Sequence, residues 1–141
     1  MKSIISFIIV SLTISSCATL DHNKKESIYA KYIAEKKLES QKRITSFQFH
    51  GWRSLDNEYL ILSTSFNKPY LIDLTGYCND LRFTQTIAVH NSGSTLHAKF
   101  DSISVPNDHS MKCRIDAIYR ITKKQADEIS ALSSKKEDKQ S

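Results

Sequence analysis

The sequence predicts an α+β domain: a small, mainly antiparallel β-sheet or partly open barrel of about six strands, with an N-terminal helix and a short C-terminal helix. Apolar residues recur at helical spacing near residue 30, and they alternate with polar residues in several segments from Ile44 onward. A helix-capping pattern follows the last alternating segment. About 125 residues remain after the first sixteen, which is enough for one domain with its own core.

Residues 1–16 have the layout of a cleaved export signal. Lys2 supplies a positive charge, residues 4–14 form an apolar run, and two serines precede Cys17. The run is shorter than the roughly 20 residues that a membrane-spanning helix needs. Ile14-Ser15-Ser16-Cys17 also resembles the lipobox of bacterial lipoproteins, in which the cysteine is lipidated and becomes the first residue of the mature chain. We therefore predict a lipoprotein signal peptide over 1–16 and lipidation at Cys17.

Residues 17–43 are predicted to form a lipidated tether followed by the N-terminal helix. The segment from 26 to 41 lacks Gly and Pro and is rich in good helix formers. Either the helix binds a partner or the membrane, or it packs against its own domain. A stripe of only four apolar residues favours packing against the domain. The stripe consists of Ile28, Tyr29, Tyr32 and Ile33.

Residues 44–132 are predicted to form a β-rich globular domain that ends in the C-terminal helix. Phe47 and Phe49 alternate with polar residues, which predicts a half-buried strand over residues 44–50. Gly51 follows this segment and is a candidate β-bulge.

Turn residues divide the next part of the domain into short strands. Asn67-Lys68-Pro69 lies between two apolar runs, so residues 58–74 are predicted to form a hairpin. A strand is expected over 85–90, a turn over 91–94, and a further strand from Leu96 through Val105.

The last strand shows the clearest alternation. Residues 111, 113, 115, 117, 119 and 121 are apolar and share one parity, with Ile118 the one apolar residue at the other parity. Thr122 lies three residues before Gln125, the spacing of a capping box, so a helix is expected from there to about Leu132. Residues 133–141 are predicted to be a charged, flexible tail.

The cysteine count favours a disulfide. Of three cysteines, Cys17 is assigned to lipid, which leaves Cys78 and Cys113 as a pair in an oxidising envelope. The alternatives are a redox couple or a metal site. The pair lacks Cys-x-x-Cys spacing, and two cysteines make an incomplete zinc site. A structural disulfide is therefore the prediction.

Several ordered landmarks run through the core from about residue 43 to 121. They are Trp52, Asp56, Pro69-Tyr70-Leu71, Leu74, Cys78, Leu81, Phe83, Ile87, Phe100-Asp101, Cys113, Ile115 and Ile118. Together with the lipobox, this combination resembles a family of small bacterial lipoproteins catalogued as domain of unknown function 6491. The resemblance implies a domain in which Cys78 and Cys113 pair, and it implies no activity.

The sequence contains no common catalytic motif. Gly-x-Ser-x-Gly and His-Glu-x-x-His are absent, and three glycines leave almost no room for a phosphate-binding loop. His90 and His97 flank a predicted hairpin turn with Asp101 nearby, so they are weak candidates for a metal site. Histidines beside a turn are more often solvated, and Asp101 is better interpreted as a backbone-capping acid. We therefore predict no enzyme, no metal and no cofactor.

These features predict a membrane-anchored envelope lipoprotein whose head is a non-catalytic binding module facing the periplasm. Its expected partners are the lipid bilayer, through Cys17, and an envelope protein or cell-wall polymer. The net charge of +5 allows nucleic-acid binding, but an exported protein meets little nucleic acid, so none is expected. The residue after Cys17 is Ala18, rather than the Asp that favours retention of lipoproteins in the inner membrane. The outer membrane is therefore the expected location. The alternative is a metal-binding or enzymatic periplasmic domain that uses His and Asp residues of the β-domain.

Overall fold

The computed structural model of the protein describes residues 27–106 and 111–138. The predicted signal peptide and Cys17 lie outside the described residues. In chain order, the elements are α1 (Ile28–Glu35), β1 (Ser40–Gln41), β2 (Arg43–Ile44), β3 (Gly51–Ser54), β4 (Tyr59–Ser63), β5 (Pro69–Leu74), β6 (Ala88–His90), β7 (Leu96–His97), β8 (Ser102–Ser104), β9 (Lys112–Arg120) and α2 (Lys123–Asp138).

The described strands form one curled antiparallel sheet and one small pair. The main sheet follows the order β3-β4-β5-β9-β8-β6, with β1 lying beside β9, and β2 pairs with β7. The sheet curls into a half-barrel. One helix precedes all the strands in the sequence, and the other follows them. The predicted α+β class is therefore confirmed.

The central hairpin of β4 and β5 is buried on both faces. Every residue of β5 is buried, because its alternate side chains belong to two different apolar clusters. Leu60 and Ile72 lie in the cluster inside the curled sheet, whereas Ile61 and Leu71 lie in the cluster under the helices. Strands covered on both faces are continuously apolar rather than alternating.

The N-terminal helix packs against its own domain, as its stripe of only four apolar residues predicted. Tyr29 is fully buried, and its ring centroid lies 5.2 Å from that of Tyr59 in β4. The Tyr29 hydroxyl donates to the Leu55 carbonyl at 3.2 Å, and the Ser133 hydroxyl of α2 donates to the same carbonyl at 2.8 Å. One backbone oxygen thus links both helices to the sheet.

The helix α1 is shorter than the predicted segment 26–41. Ser27 caps its start by accepting from the Tyr29 amide at 3.3 Å. Its end is set by Lys37, whose φ of 50° is left-handed, and by the Leu38 amide, which donates to Ile33 at 3.0 Å. The chain then turns into β1.

The predicted capping box at the start of α2 is confirmed. The Thr122 amide donates to Gln125 Oε1 at 2.8 Å, and the Gln125 amide donates to Thr122 Oγ1 at 3.2 Å. The predicted boundary at residue 133 is wrong, because α2 continues to Asp138. The Ser133 hydroxyl donates to the Leu55 carbonyl, in the connection between β3 and β4, so this turn of the helix is held by the domain.

A β-bulge in β9 changes which of its alternating side chains face the inside of the curled sheet. Asp73 pairs with Ala117 whereas Leu74 pairs with Ile115, which leaves Asp116 as an extra residue. Before the bulge, Ile115 faces the inner cluster; after it, Ile118 faces that cluster and Tyr119 faces the helices. The bulge therefore explains why Ile118 is apolar although it lies at the other parity.

The predictions of a strand over 44–50 and of a bulge at Gly51 are wrong. Of the predicted strand over 44–50, only Ile44 belongs to a strand, β2 (Arg43–Ile44), and the chain then turns at Ser46, whose φ is 53°. The Phe47 amide donates a hydrogen bond to the Ser94 carbonyl at 2.7 Å rather than to a neighbouring strand. Gly51 is not a bulge, because it begins β3 in regular register with Ser63.

The predicted strand from 96 to 105 is also interrupted. Residues 98–100 form a turn between β7 and β8, and Lys99 at its centre has a φ of 71°. Phe100, which shares the parity of Leu96, is consequently 85% exposed rather than directed into the core.

A hydrogen bond between the helices predicts that stability falls at alkaline pH. The Tyr32 hydroxyl donates to Glu128 Oε2 at 2.7 Å, and burial, together with this bond to Glu128, raises the pKa of Tyr32 well above its usual range. Above about pH 10 the unfolded chain releases this proton while the folded chain keeps it, so the free energy of unfolding decreases as pH rises. Urea unfolding between pH 8 and 11 tests this prediction. Tyr32→Phe should lose less stability over that interval than the wild type; equal losses would contradict it.

Candidate functional site

A cleft of about 830 Å³ runs along the outer edge of β9. Residues 40–43 form one wall and residues 97–100 form the other, while Asp116, Ala117 and Tyr119 line the β9 side between them. The walls come from segments more than fifty positions apart in the sequence. The volume lies within the range of small-molecule binding sites, about 300–1,000 Å³.

The cleft exists because β9 changes its neighbour along this edge. Its first residues pair with β8, and Ile118 and Tyr119 pair with β1. The bulge at Asp116 lies between these two pairings. The 98–100 turn spans the gap, because the Ala98 amide donates to Lys42 at 2.9 Å and the Lys99 amide donates to Ile115 at 2.7 Å.

Asp101 holds the turn that forms one wall. Its buried carboxylate accepts from the His97 amide at 2.6 Å, and its own amide donates to the His97 carbonyl at 3.2 Å. The predicted capping role of Asp101 is therefore confirmed. These bonds hold Lys99 in a left-handed conformation that costs a side-chain-bearing residue about 1–2 kcal/mol. Strained backbone of this kind is concentrated at functional sites.

Most of the charged residues that line the cleft are basic. Lys42 and Arg43 are exposed on one wall, and Lys99 lies on the other. Asp116 is the one carboxylate in the lining, and its Oδ1 is 2.5 Å from Lys99 Nζ. Because three cations oppose one carboxylate, the cleft favours an anion.

Apolar groups share the cleft with these charges. Phe100 lines it and is 85% exposed, more than any other large hydrophobic residue in the part of the chain that the structure describes. Ala98, Ala117 and the half-buried Tyr119 add further apolar surface. An exposed ring beside cations can contact an apolar face of a ligand whose acidic group is held by the cations.

The candidate metal ligands do not assemble. His97 Nδ1 lies 3.4 Å from Asp101 Oδ2, but the His90 ring contacts Ser104 Oγ at 2.8 Å instead. The predicted turn between residues 90 and 97 is present, since Ser92 and Thr95 form an isolated antiparallel bridge. The strands that carry His90 and His97 do not pair with each other, however, because β6 pairs with β8 and β7 pairs with β2. Within residues 27–106 and 111–138, no three His, Cys, Asp or Glu residues are placed to hold a metal ion.

The predicted disulfide is confirmed. Cys78 and Cys113 are bonded, and their Cα atoms are 5.7 Å apart. Both residues are buried in the inner cluster, so the bond connects the loop after β5 to β9. Thiol–disulfide exchange requires access for an attacking thiolate, and burial therefore favours the structural role over a redox couple.

The sequence alone did not identify the residues of this cleft. Lys42, Arg43 and Lys99 have no recognisable spacing, since a pairing between β2 and β7 brings them together. Phe100 was predicted as a strand residue. The one local signal in the sequence for this part of the cleft is that Phe100 directly follows Lys99.

Comparison with known proteins identifies one family. The model described as Family of unknown function (DUF6491) matches residues 1–137. No curated protein and no solved structure matches the chain. In the described part of the chain, neither helix combines the length and apolar character needed to cross a bilayer.

Proposed function

The chain belongs to the family of unknown function DUF6491, and we propose that it is a membrane-anchored bacterial envelope lipoprotein whose head is a non-catalytic binding module. The lipid anchor is Cys17, and the head faces the periplasm, with the outer membrane as its site. Two or more acyl chains attached to one cysteine give stable membrane binding, whereas a single chain gives marginal binding.

The observation that supports this proposal is the buried disulfide between Cys78 and Cys113. Disulfides of this structural kind persist in oxidising compartments and are rare in the bacterial cytosol. The bond accounts for two of three cysteines, and the third follows an apolar run with an upstream lysine. The cysteine pattern and the N-terminal pattern therefore indicate the same destination.

The cleft beside β9 supports a binding role for the head. Its walls are held by backbone hydrogen bonds from Ala98 and Lys99, so contacts within the domain maintain the shape of the cleft. Its lining offers cations and an exposed aromatic ring, which are groups that bind and orient a ligand. No catalytic step is needed to explain this combination.

Substitution of Cys17 tests the anchor. Cys17→Ser should release the protein from the membrane fraction and abolish its labelling by a fatty acid, because the acyl chains are attached through that sulfur. Cell fractionation and metabolic labelling measure both effects. Cys78→Ala/Cys113→Ala is the matched control, since it removes the other cysteines and should leave the anchor intact. Unlabelled wild-type protein in the cytosol with free thiols would refute the proposal.

A further inference from the structure

We propose that the cleft beside β9 binds a carbohydrate chain that carries carboxylates. This inference rests on the proposed binding role of the head and specifies its ligand class. The carboxylate chemistry is shared by uronic-acid polysaccharides and by the glycan strands of a cell wall. The cleft residues that carry the inference are Lys42, Arg43, Lys99, Phe100 and Gln41.

The cations determine the sign of the ligand. Lys42 and Arg43 are adjacent in sequence and exposed, and they face the wall that carries Lys99 across the cleft. Carboxylates form charge-assisted hydrogen bonds with lysine and arginine, and arginine holds them bidentately. Lys99 Nζ is 2.5 Å from Asp116 Oδ1, so this ammonium group lies toward the β9 side of the cleft.

The remaining groups favour a sugar over a compact anion. Phe100 presents a ring that is 85% exposed, and the apolar C–H face of a pyranose ring stacks on such a ring. Ser40 and Gln41 line the same cleft and offer neutral hydrogen-bonding groups for sugar hydroxyls. An inorganic anion would use the cations and leave the aromatic ring and the amide without a role.

The shape argues against an anionic membrane as the ligand. A bilayer surface contacts convex or flat basic surfaces, whereas Asp116 and Ala117 line the cleft between two walls. The volume of about 830 Å³ is sufficient for a short stretch of an extended chain. A polysaccharide segment can enter a concave site that a bilayer cannot fill.

Calorimetric titration of the full chain in detergent tests the inference. The probes are a tetramer of galacturonic acid, its fully methyl-esterified counterpart, and soluble cell-wall glycan strands. We expect saturable binding of at least one acidic probe, weakening as added salt shortens the screening length. The tighter acidic probe identifies the source. The neutral ester should bind at least about tenfold more weakly.

Matched variants locate the binding. Phe100→Ala and the double variant Lys42→Ala/Arg43→Ala should each weaken binding by about tenfold. The controls are Phe83→Ala, which removes another exposed ring, and Lys68→Ala/Lys124→Ala, which removes two exposed cations outside the cleft. Both controls should bind as the wild type does. Because Phe100 is mostly exposed, its variant should also melt at the wild-type temperature.

Four results would overturn the inference: no binding of either acidic probe, equal binding of the ester, equal weakening by the control variants, or tighter binding of the anchor-free Cys17→Ser protein to vesicles of anionic phospholipid than to either acidic probe. Each of these leaves the membrane anchor unaffected, because fractionation of Cys17→Ser measures the anchor alone. Conversely, a cytosolic wild-type protein that binds the tetramer would refute the proposed lipid anchor and would support the proposed binding in the cleft.

Discussion

Loss of the disulfide between Cys78 and Cys113 should lower the free energy of unfolding by about 3–4 kcal/mol. The two residues are separated by 35 positions, and closing a loop of that length removes this much conformational entropy from the unfolded chain. In the folded protein the bond holds the loop after β5, where Leu81 is buried, against β9. Residues 75–87 contribute no strand to the sheet, so we expect this loop to detach first.

Urea unfolding of Cys78→Ala/Cys113→Ala against the wild type measures this effect without leaving an unpaired buried thiol. Cys17→Ser is the control and should unfold as the wild type does, because its substitution leaves both disulfide cysteines in place. Equal unfolding midpoints for the wild type with and without reductant, after confirmed reduction, would show that the bond contributes nothing.

Tyr29→Ala should lower the free energy of unfolding by about 3–5 kcal/mol. Tyr29 is fully buried, and its ring packs against Tyr59 in the cluster that joins both helices to the sheet. The substitution leaves a cavity beneath α1 and removes the hydrogen bond to Leu55. A helix of eight residues has little stability of its own, so we expect α1 to unfold with its contacts.

Tyr29→Phe separates packing from hydrogen bonding. It keeps the ring and should cost about 1 kcal/mol, because the Leu55 carbonyl still accepts from Ser133 at 2.8 Å. Chemical denaturation gives the loss of stability, and hydrogen exchange of residues 28–35 shows whether the helix is lost. A stable Tyr29→Ala protein would contradict the assignment of α1 to the domain and would favour a helix that serves a partner or the membrane.

The elements that the sequence predicted well are those specified by local chemistry. The hairpin of β4 and β5 has two apolar runs on either side of a turn over residues 64–68, and Pro69 begins the second strand opposite Ser63. The start of α2 is specified by Thr122 and Gln125, whose side chains cap each other's amides. The disulfide followed from the number of cysteines and the predicted compartment rather than from geometry.

The wrong predictions share a different cause. Phe47 and Phe49 alternate as strand residues do. The Phe47 amide, however, donates a hydrogen bond to the Ser94 carbonyl, its side chain is buried in the inner cluster, and Phe49 is exposed. Residues 96–105 have a strand pattern, but the bonds between His97 and Asp101 form a turn there. In both segments the pattern describes which side chains are apolar, and it does not specify which distant backbone they meet.

By itself, the sequence determined the class of the domain, its central hairpin, the capped C-terminal helix and the pairing of its cysteines. Only the tertiary structure decided the bulge at Asp116, the change of neighbour along β9 and the cleft between Lys42 and Lys99. The physical reason is that side-chain periodicity is a local property of the chain. The partner that satisfies a strand's backbone hydrogen bonds comes from anywhere in the sequence, so a site built at a sheet edge is specified only when the sheet is assembled.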